Sequence, residues 1–168
     1  MAMSWEETLR EVVRRYYRAG PSEPPDWVAH EGPGSSPAVT LSNATCGDRV
    51  VVHMAPSGEG SSQPMRVWLD VAGCAICKAS AEMAVRAAQA MSPEELETLA
   101  RQVHASLVLT SDCENRGLDR LYELTLTSMA TVSSQDIETM LRLRDVPGRQ
   151  RCASLPWEAV LHALDASR

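Results

Sequence analysis

The sequence predicts an α+β fold in which a three-stranded antiparallel sheet packs against several helices. Three runs rich in β-branched residues, at 39–41, 50–54 and 65–71, are separated by turn-forming residues, as in consecutive antiparallel strands. Before and after this block, apolar residues recur at the spacing of an α-helix. Of the 168 residues, 44% are hydrophobic, which is ample for one core. We therefore expect a single domain over residues 1–168.

The N-terminal segment predicts a helix from about residue 4 to residue 18. Ser4 and Glu7 form a capping-box signature, and apolar residues follow at helical spacing until the chain reaches Gly20. Residues 20–37 then contain five prolines together with several glycines and serines. This composition predicts an irregular surface loop that leads into the first strand.

Further helices are predicted on the C-terminal side of the sheet. An Ala- and Met-rich stretch follows Gly73, and Ser92 with Glu95 gives a second capping signature around Pro93. Residues 112–117 are polar and predict a loop. The predicted helical segments are about 74–91, 92–107, 118–129, 133–143 with Ser133 or Ser134 as its cap, and 154–165.

Composition restricts the possible functions. A net charge of -6 and a pI near 5.2 argue against nucleic acid as a main partner. No apolar run is long enough to span a membrane, and Glu6 and Glu7 do not fit a signal peptide. We expect a cytoplasmic protein without a membrane partner. Its five cysteines should then be reduced, which favours metal binding or thiol chemistry over disulfides.

Four side chains suit a tetrahedral metal site. Cys46 and Asp48 lie two residues apart around a glycine, in the predicted turn between the first two strands. Cys74 and Cys152 each lie just before a predicted helix, where the helix dipole and free N–H groups favour the thiolate. Three thiols and one carboxylate are ligands that zinc binds tetrahedrally. The spacing is not that of a zinc finger, so Cys46 and Asp48 alone also fit a buried thiol and a turn-forming aspartate.

Three stretches that contain these four residues carry a family resemblance. They are Asn43 to Asp48, Gly73 to Met83, and Arg149 to Trp157 with the pattern Arg-Cys-Ala-x-Leu-x-Trp. In this order they resemble the motifs of the SufU/IscU (NifU N-terminal-like) family of iron–sulfur cluster assembly proteins. Arg151 occupies the position at which IscU-type members have a histidine, and the region of about 92–145 resembles the SufU-type helical insertion. The SufU type is therefore the closer match.

The resemblance implies a function and residue roles. In SufU-type proteins the counterparts of Cys46, Asp48, Cys74 and Cys152 bind zinc, and a histidine of a partner cysteine desulfurase replaces one thiolate. The released thiolate, which matches Cys46, accepts sulfur from the desulfurase persulfide by thiol–disulfide-like exchange. The Cys46 persulfide would then pass its sulfur to other iron–sulfur assembly proteins. Arg149 is a second candidate catalytic residue because it adds positive potential beside Cys152.

Three other functions fit the same residues. An IscU-like scaffold would assemble a [2Fe–2S] cluster on the same four ligands. A zinc-stabilised interaction module would use the zinc only for structure. A dithiol oxidoreductase would use Cys74 and Cys77 as a Cys-x-x-Cys pair. Cys77 is more simply explained as a small packed side chain, and Cys113 as an incidental thiol in a polar loop.

Overall fold

Three strands and six α-helices are present in the computed structural model, which describes residues 4–17, 23–29, 38–58, 63–108 and 132–167. In chain order they are α1 (Trp5–Tyr16), α2 (Asp26–Ala29), β1 (Val39–Asn43), β2 (Asp48–Pro56), β3 (Met65–Ala72), α3 (Ala75–Ala90), α4 (Pro93–Val108), α5 (Ser134–Leu141) and α6 (Gln150–Ala166). A 3₁₀ helix, Arg142–Asp145, follows α5. No helix in these described ranges is long and apolar enough to cross a membrane.

The sheet has the order β1-β2-β3 with antiparallel pairs, which confirms the predicted α+β arrangement. The last residue of β1, Asn43, pairs with the first residue of β2, Asp48, so the turn between these strands spans only residues 44–47. Along β2, Val50 and Val52 point to the same face and are buried. One face of the sheet therefore contributes to the hydrophobic core.

Helices α3 and α6 pack against the sheet, and α4 packs against α6. Each of the three contributes a fully buried large side chain to the core, namely Met83 on α3, Leu99 on α4 and Trp157 on α6. Helix α6 contacts both β1 and β2. Its first turn is thereby placed beside the turn that joins these two strands.

The N-terminal helix begins with the predicted capping box. The Ser4 hydroxyl accepts a hydrogen bond from the Glu7 N–H at 3.3 Å, and the Glu7 carboxylate accepts one from the Ser4 N–H at 2.8 Å. These two bonds satisfy two of the N–H groups that have no partner within the helix. Helix α1 ends at Tyr16, about one half-turn before the predicted end.

The region predicted as an irregular loop over residues 20–37 contains the short helix α2. Two prolines, Pro24 and Pro25, precede this helix, where their missing N–H groups remove no helical hydrogen bond. The Val28 N–H donates to the Pro25 carbonyl at 2.8 Å. A single helical turn is therefore compatible with the proline-rich composition that predicted a loop.

Two helix starts on the C-terminal side follow the sequence signals. The Ser92 N–H and hydroxyl donate to Glu95 Oε2 at 2.9 and 2.8 Å, and the Glu95 N–H donates to Ser92 Oγ at 3.4 Å. Ser133 is the N-cap residue of α5, although its side chain makes no capping bond. The 3₁₀ helix replaces the predicted end of α5. The predicted loop at 112–117 and helix at 118–129 lie outside the described residues.

The last helix starts four residues earlier than predicted. It begins at Gln150 rather than near Ser154, so Cys152 lies in its first turn and not before it. Gly148 makes this early start possible, since its φ of +77° turns the chain sharply just ahead of the helix. Pro156 lies inside the helix and has no N–H, so the Cys152 carbonyl lacks its usual i+4 donor.

Candidate metal centre

The turn between β1 and β2 holds Cys46 at an exposed position. Gly47 has a φ of +74°, which the turn requires and which glycine adopts without strain, and its N–H donates to the Asn43 carbonyl at 2.8 Å. The Asn43 side chain accepts from the Thr45 N–H at 3.1 Å and donates from Nδ2 to Cys46 Sγ at 2.8 Å. Asn43 therefore supports the turn and orients the Cys46 sulfur atom.

A thiol–carboxylate cluster forms where this turn meets α6. Cys46 Sγ lies 2.9 Å from Asp48 Oδ2 and 3.5 Å from Cys152 Sγ. The three potential ligand atoms all lie within 4.8 Å of one another. Cys46 is exposed, whereas Asp48 and Cys152 are 1% and 0% exposed. The cluster thus has one open side, at Cys46.

Cys74 contacts the cluster through its backbone. Its N–H donates to Asp48 Oδ1 at 3.0 Å, and it is the N-cap residue of α3, at the positive end of that helix. Its thiol is not among the three grouped ligand atoms, so the described residues bring together three of the four predicted ligands. The preceding Gly73 is required here, because an added Cβ would lie 2.7 Å from Asp48 Oδ1.

The surroundings of Asp48 favour its charged form. Burial opposes ionisation, but hydrogen bonds from the Cys46 and Cys152 thiols and the Cys74 N–H, with the charge of Arg149, outweigh it and lower the pKa of Asp48. Burial and the hydrogen bond to Asp48 raise the pKa of the Cys152 thiol. Without a cation, the cluster therefore consists of an ionised carboxylate and a protonated inner thiol.

The two arginines beside Cys152 have different surroundings. Arg149 is exposed, and its charge acts on Asp48. Arg151 forms an ion pair with Glu158, two turns further along α6, and the same carboxylate lies 3.8 Å from His104 Nε2 on α4. Arg149 is thus the basic residue of this segment that contributes to the electrostatics of the cluster, whereas Arg151 joins α6 to α4.

The remaining cysteine of the predicted Cys-x-x-Cys pair is a core residue. Cys77 is 0% exposed and packs in the hydrophobic core. Burial, followed by the charges of Asp48 and Cys74, raises the pKa of its thiol. A thiol that resists ionisation and lacks access to solvent is a poor redox nucleophile. Cys113 lies outside the described residues.

A buried hydrogen-bond chain that sequence reasoning missed joins α3 to the first turns of α6. The Ser80 hydroxyl donates to the Ala153 carbonyl at 2.6 Å and accepts from Trp157 Nε1 at 3.0 Å. Ala153 directly follows Cys152, so these bonds fix the helix turn that carries the inner thiol. Ser80 and Trp157 both lie within the stretches that carry the family resemblance. Their position in these stretches was the sequence feature that could have indicated a role for Ser80 and Trp157 near the site.

The donor atoms of the cluster suit a thiophilic divalent cation. Two cysteine sulfurs and a carboxylate oxygen are accepted zinc ligands, and their mutual separations allow one ion to contact all three. Structural zinc sites contain four protein ligands. The backbone contact of Cys74 with Asp48 makes its thiol the natural candidate for the fourth position.

Comparison with known proteins identifies the fold. The sequence matches no protein-family model and no curated protein. A candidate iron–sulfur cluster assembly scaffold protein for the SUF system, FiSufU from thermophilic Fervidobacterium islandicum AW-1, is similar in structure, with a TM-score of 0.59 and 18% identity over 92% of this chain and 94% of that chain. The N-terminal part of a nitrogen-fixing NifU-like protein from Brucella abortus gives a TM-score of 0.62 and 15% identity, over 97% of this chain and 96% of that one.

A third solved structure, of a hypothetical protein, has a TM-score of 0.62 and 21% identity, over 95% of this chain and 98% of that one. These similarities span nearly the whole of each chain. They confirm, at the level of the fold, the SufU and NifU-like resemblance carried by the three sequence stretches. The protein thus has the same α+β fold as FiSufU and the NifU-like protein.

Proposed function

We propose that this chain is a SufU-like member of the SufU/IscU family that accepts sulfur on Cys46 from a SufS-like cysteine desulfurase. The observation that carries the proposal is the grouping of Cys46, Asp48 and Cys152 on the fold of FiSufU and the NifU-like protein. In this proposal residues 1–168 form one domain, and the region of about 92–145 corresponds to the SufU-type insertion. Other iron–sulfur assembly proteins of the cytoplasm would receive the sulfur.

The metal in this proposal is zinc, held by Cys46, Asp48, Cys74 and Cys152. The thiol-rich donor set favours zinc over cations that prefer oxygen ligands. Bound zinc would keep the coordinating thiols deprotonated at neutral pH. Gly73 leaves room for the Asp48 carboxylate against the backbone, so the oxygen ligand is fixed before any metal binds.

Cys46 is suited to accept sulfur because it is the exposed member of the cluster. Its thiolate would attack the outer sulfur of the desulfurase persulfide. A bond forms between Cys46 Sγ and that sulfur, the persulfide S–S bond breaks, and the desulfurase cysteine leaves as a thiolate. Asn43 positions the Cys46 sulfur through its 2.8 Å hydrogen bond. Arg149, the second catalytic residue in this proposal, supplies positive potential that acts on Asp48 beside Cys46.

The second candidate is a scaffold that assembles a [2Fe–2S] cluster on the same ligands. It is favoured by the description of FiSufU as a candidate scaffold protein, and thiolates ligate such clusters. The burial of Cys77 argues against a Cys74–Cys77 dithiol oxidoreductase. A purely structural zinc module would leave the exposed position of Cys46 without a purpose.

The proposal is tested by desulfurase stimulation. The zinc-loaded chain is added to a SufS-like cysteine desulfurase with cysteine, alanine production is followed, and persulfidated peptides are identified by mass spectrometry. We expect a persulfide on Cys46, and Cys46→Ala should abolish the stimulation. Cys77→Ala, which removes a core thiol outside the cluster, should stimulate like the wild type. Equal stimulation by Cys46→Ala would refute sulfur acceptance at this residue.

A further inference from the structure

We infer that Cys152 is a resolving thiol, which attacks the sulfur atom of a Cys46 persulfide and releases the terminal sulfur as sulfide. The inference rests on the proposed function, because Cys46 must first carry a persulfide, and it concerns the metal-free cluster, in which Cys152 is a free thiol and not a zinc ligand. It adds an activity to sulfur acceptance, namely the reduction of bound sulfur to sulfide within a single chain.

The two sulfur atoms are already close enough for this reaction. Cys46 Sγ and Cys152 Sγ lie 3.5 Å apart, near van der Waals contact, and a disulfide bond is about 2.0 Å long. An approach of roughly 1.5 Å would therefore join them. Cys152 is held in a packed helix, whereas Cys46 lies on an exposed four-residue turn. The turn is the part that can supply this movement.

The exposure of the two thiols sets the direction of attack. Asp48 and Cys152 occupy the buried side of Cys46, so a sulfur atom added to Cys46 must extend towards solvent. Cys152 then faces the inner sulfur of the persulfide from the protein side. The terminal sulfur lies on the opposite side, where it can leave into water.

The reaction balances without an external electron donor. The bond between Cys46 Sγ and the terminal sulfur breaks, a Cys46–Cys152 disulfide forms, and the two thiols supply the two electrons that reduce the terminal sulfur. The proton of Cys152 leaves with that sulfur as hydrogen sulfide. A dithiol reductant would return the disulfide to two thiols.

Cys152 is the thiol best placed for this role within the part of the chain that the structure describes. Cys74 contacts the cluster through its N–H, and its sulfur lies outside the group of ligand atoms. Cys77 is buried in the core on α3. The structure therefore gives a specific disulfide, between Cys46 and Cys152, as the product.

The test uses the full chain, reduced and treated with a chelator, with its folded state checked by circular dichroism. It is reacted anaerobically with inorganic polysulfide and desalted without reductant. We expect the Cys46 persulfide to disappear as sulfide is released, with a peptide pair linked through Cys46 and Cys152. Cys152→Ser should retain the persulfide and release sulfide at least ~10-fold more slowly. Cys77→Ala, the matched control, should behave like the wild type.

The outcomes separate this inference from the proposed function. A Cys46 persulfide that persists equally in the wild type and in Cys152→Ser overturns the resolving role and leaves sulfur acceptance intact. Failure of Cys46 to form a persulfide overturns both. If Cys152→Ser does not fold, the disulfide-linked peptides of the wild type test the resolving role of Cys152. Sulfide release with a disulfide other than Cys46–Cys152 would overturn the inference.

Discussion

Two buried carboxylates in this protein have contrasting surroundings. Asp136 on α5, 5% exposed, accepts bonds from Arg15 Nη1 at 2.8 and 2.7 Å and from the Tyr16 hydroxyl at 2.8 Å. Asp48 is also buried, but its side-chain donors are the Cys46 and Cys152 thiols. A guanidinium and a phenol keep their protons at neutral pH, whereas thiols exchange theirs for a metal. Asp136 is therefore a fixed connection to α1, and Asp48 belongs to the candidate metal centre.

The groups that donate hydrogen bonds to a buried carboxylate therefore indicate its role. Burial raises the pKa of Tyr16 to about 12, and its hydrogen bond to Asp136 contributes in the same direction. The hydrogen bonds around Asp136 thus persist over the whole physiological range. Substitution of each aspartate should distinguish a carboxylate that stabilises the fold from one that binds a ligand.

The largest expected effect is the loss of zinc binding in Asp48→Ala. Removing one of four ligands should weaken zinc binding by ~1000-fold, about 4 kcal/mol. The metal-free protein should lose only about 1 kcal/mol of stability, because the hydrogen bonds from the thiols and the Cys74 N–H are lost together with the burial cost of the carboxylate. Competition with a chromophoric chelator measures the affinity. Unchanged affinity would remove Asp48 from the ligand set.

Asp136→Ala should destabilise the fold and leave zinc affinity unchanged. It leaves the Tyr16 hydroxyl without its acceptor and separates α1 from α5, so the free energy of unfolding should fall by about 2.5 kcal/mol in urea denaturation. The estimate is moderate because the Arg15 side chain is 54% exposed and can return to water. Zinc affinity should match the wild type. A parallel loss of zinc binding would show that the two carboxylates are not independent.

Asn43→Ala tests the hydrogen bond that positions the Cys46 sulfur. Loss of this contact should reduce zinc affinity by ~10-fold, the usual order for a residue that orients a ligand. The matched control is Ser42→Ala, the exposed neighbour on β1, which should bind zinc like the wild type. Equal affinities for Asn43→Ala and the wild type would mean that the turn needs no side-chain support.

The smallest effect concerns pH. The pKa of Tyr16 is raised from 10.0 to about 12 on folding, so its contribution is fully present below pH 10 and is lost as pH rises towards 12. Tyr16→Phe should be less stable than the wild type by about 1 kcal/mol at pH 8. The difference should shrink at pH 11.5, as measured by urea denaturation at both values. A constant difference would contradict this account of the Asp136 cluster.

The sequence was most informative where the signals were local. The capping residues at Ser4 and Ser92, the β-branched runs and the turn at Cys46 depend on neighbouring residues, and the structure confirms them. The predicted start of α6, near Ser154, is four residues too late, because packing against α3 and α4 supports a helix that begins at Gln150 and continues across Pro156.

Long-range partnerships could not be predicted. Arg15 and Asp136 are 121 positions apart, and nothing in either segment indicates the other. The hydrogen bonds of Ser80 with Ala153 and Trp157 likewise depend on how α3 and α6 pack. For the site, the family resemblance supplied four ligand positions. The structure brings three of them together and places the Cys74 N–H, rather than its thiol, on Asp48.

Zinc binding by the Cys46–Asp48–Cys152 cluster is the property on which the proposed sulfur transfer depends. The most direct measurement is metal analysis of the full chain purified without added metal, together with its visible spectrum. We expect a colourless protein with about one zinc per chain and no iron. A brown protein that contains iron and labile sulfide would favour the scaffold function instead. Protein that retains neither metal, and does not take up zinc, would contradict the assignment of the cluster as a metal centre.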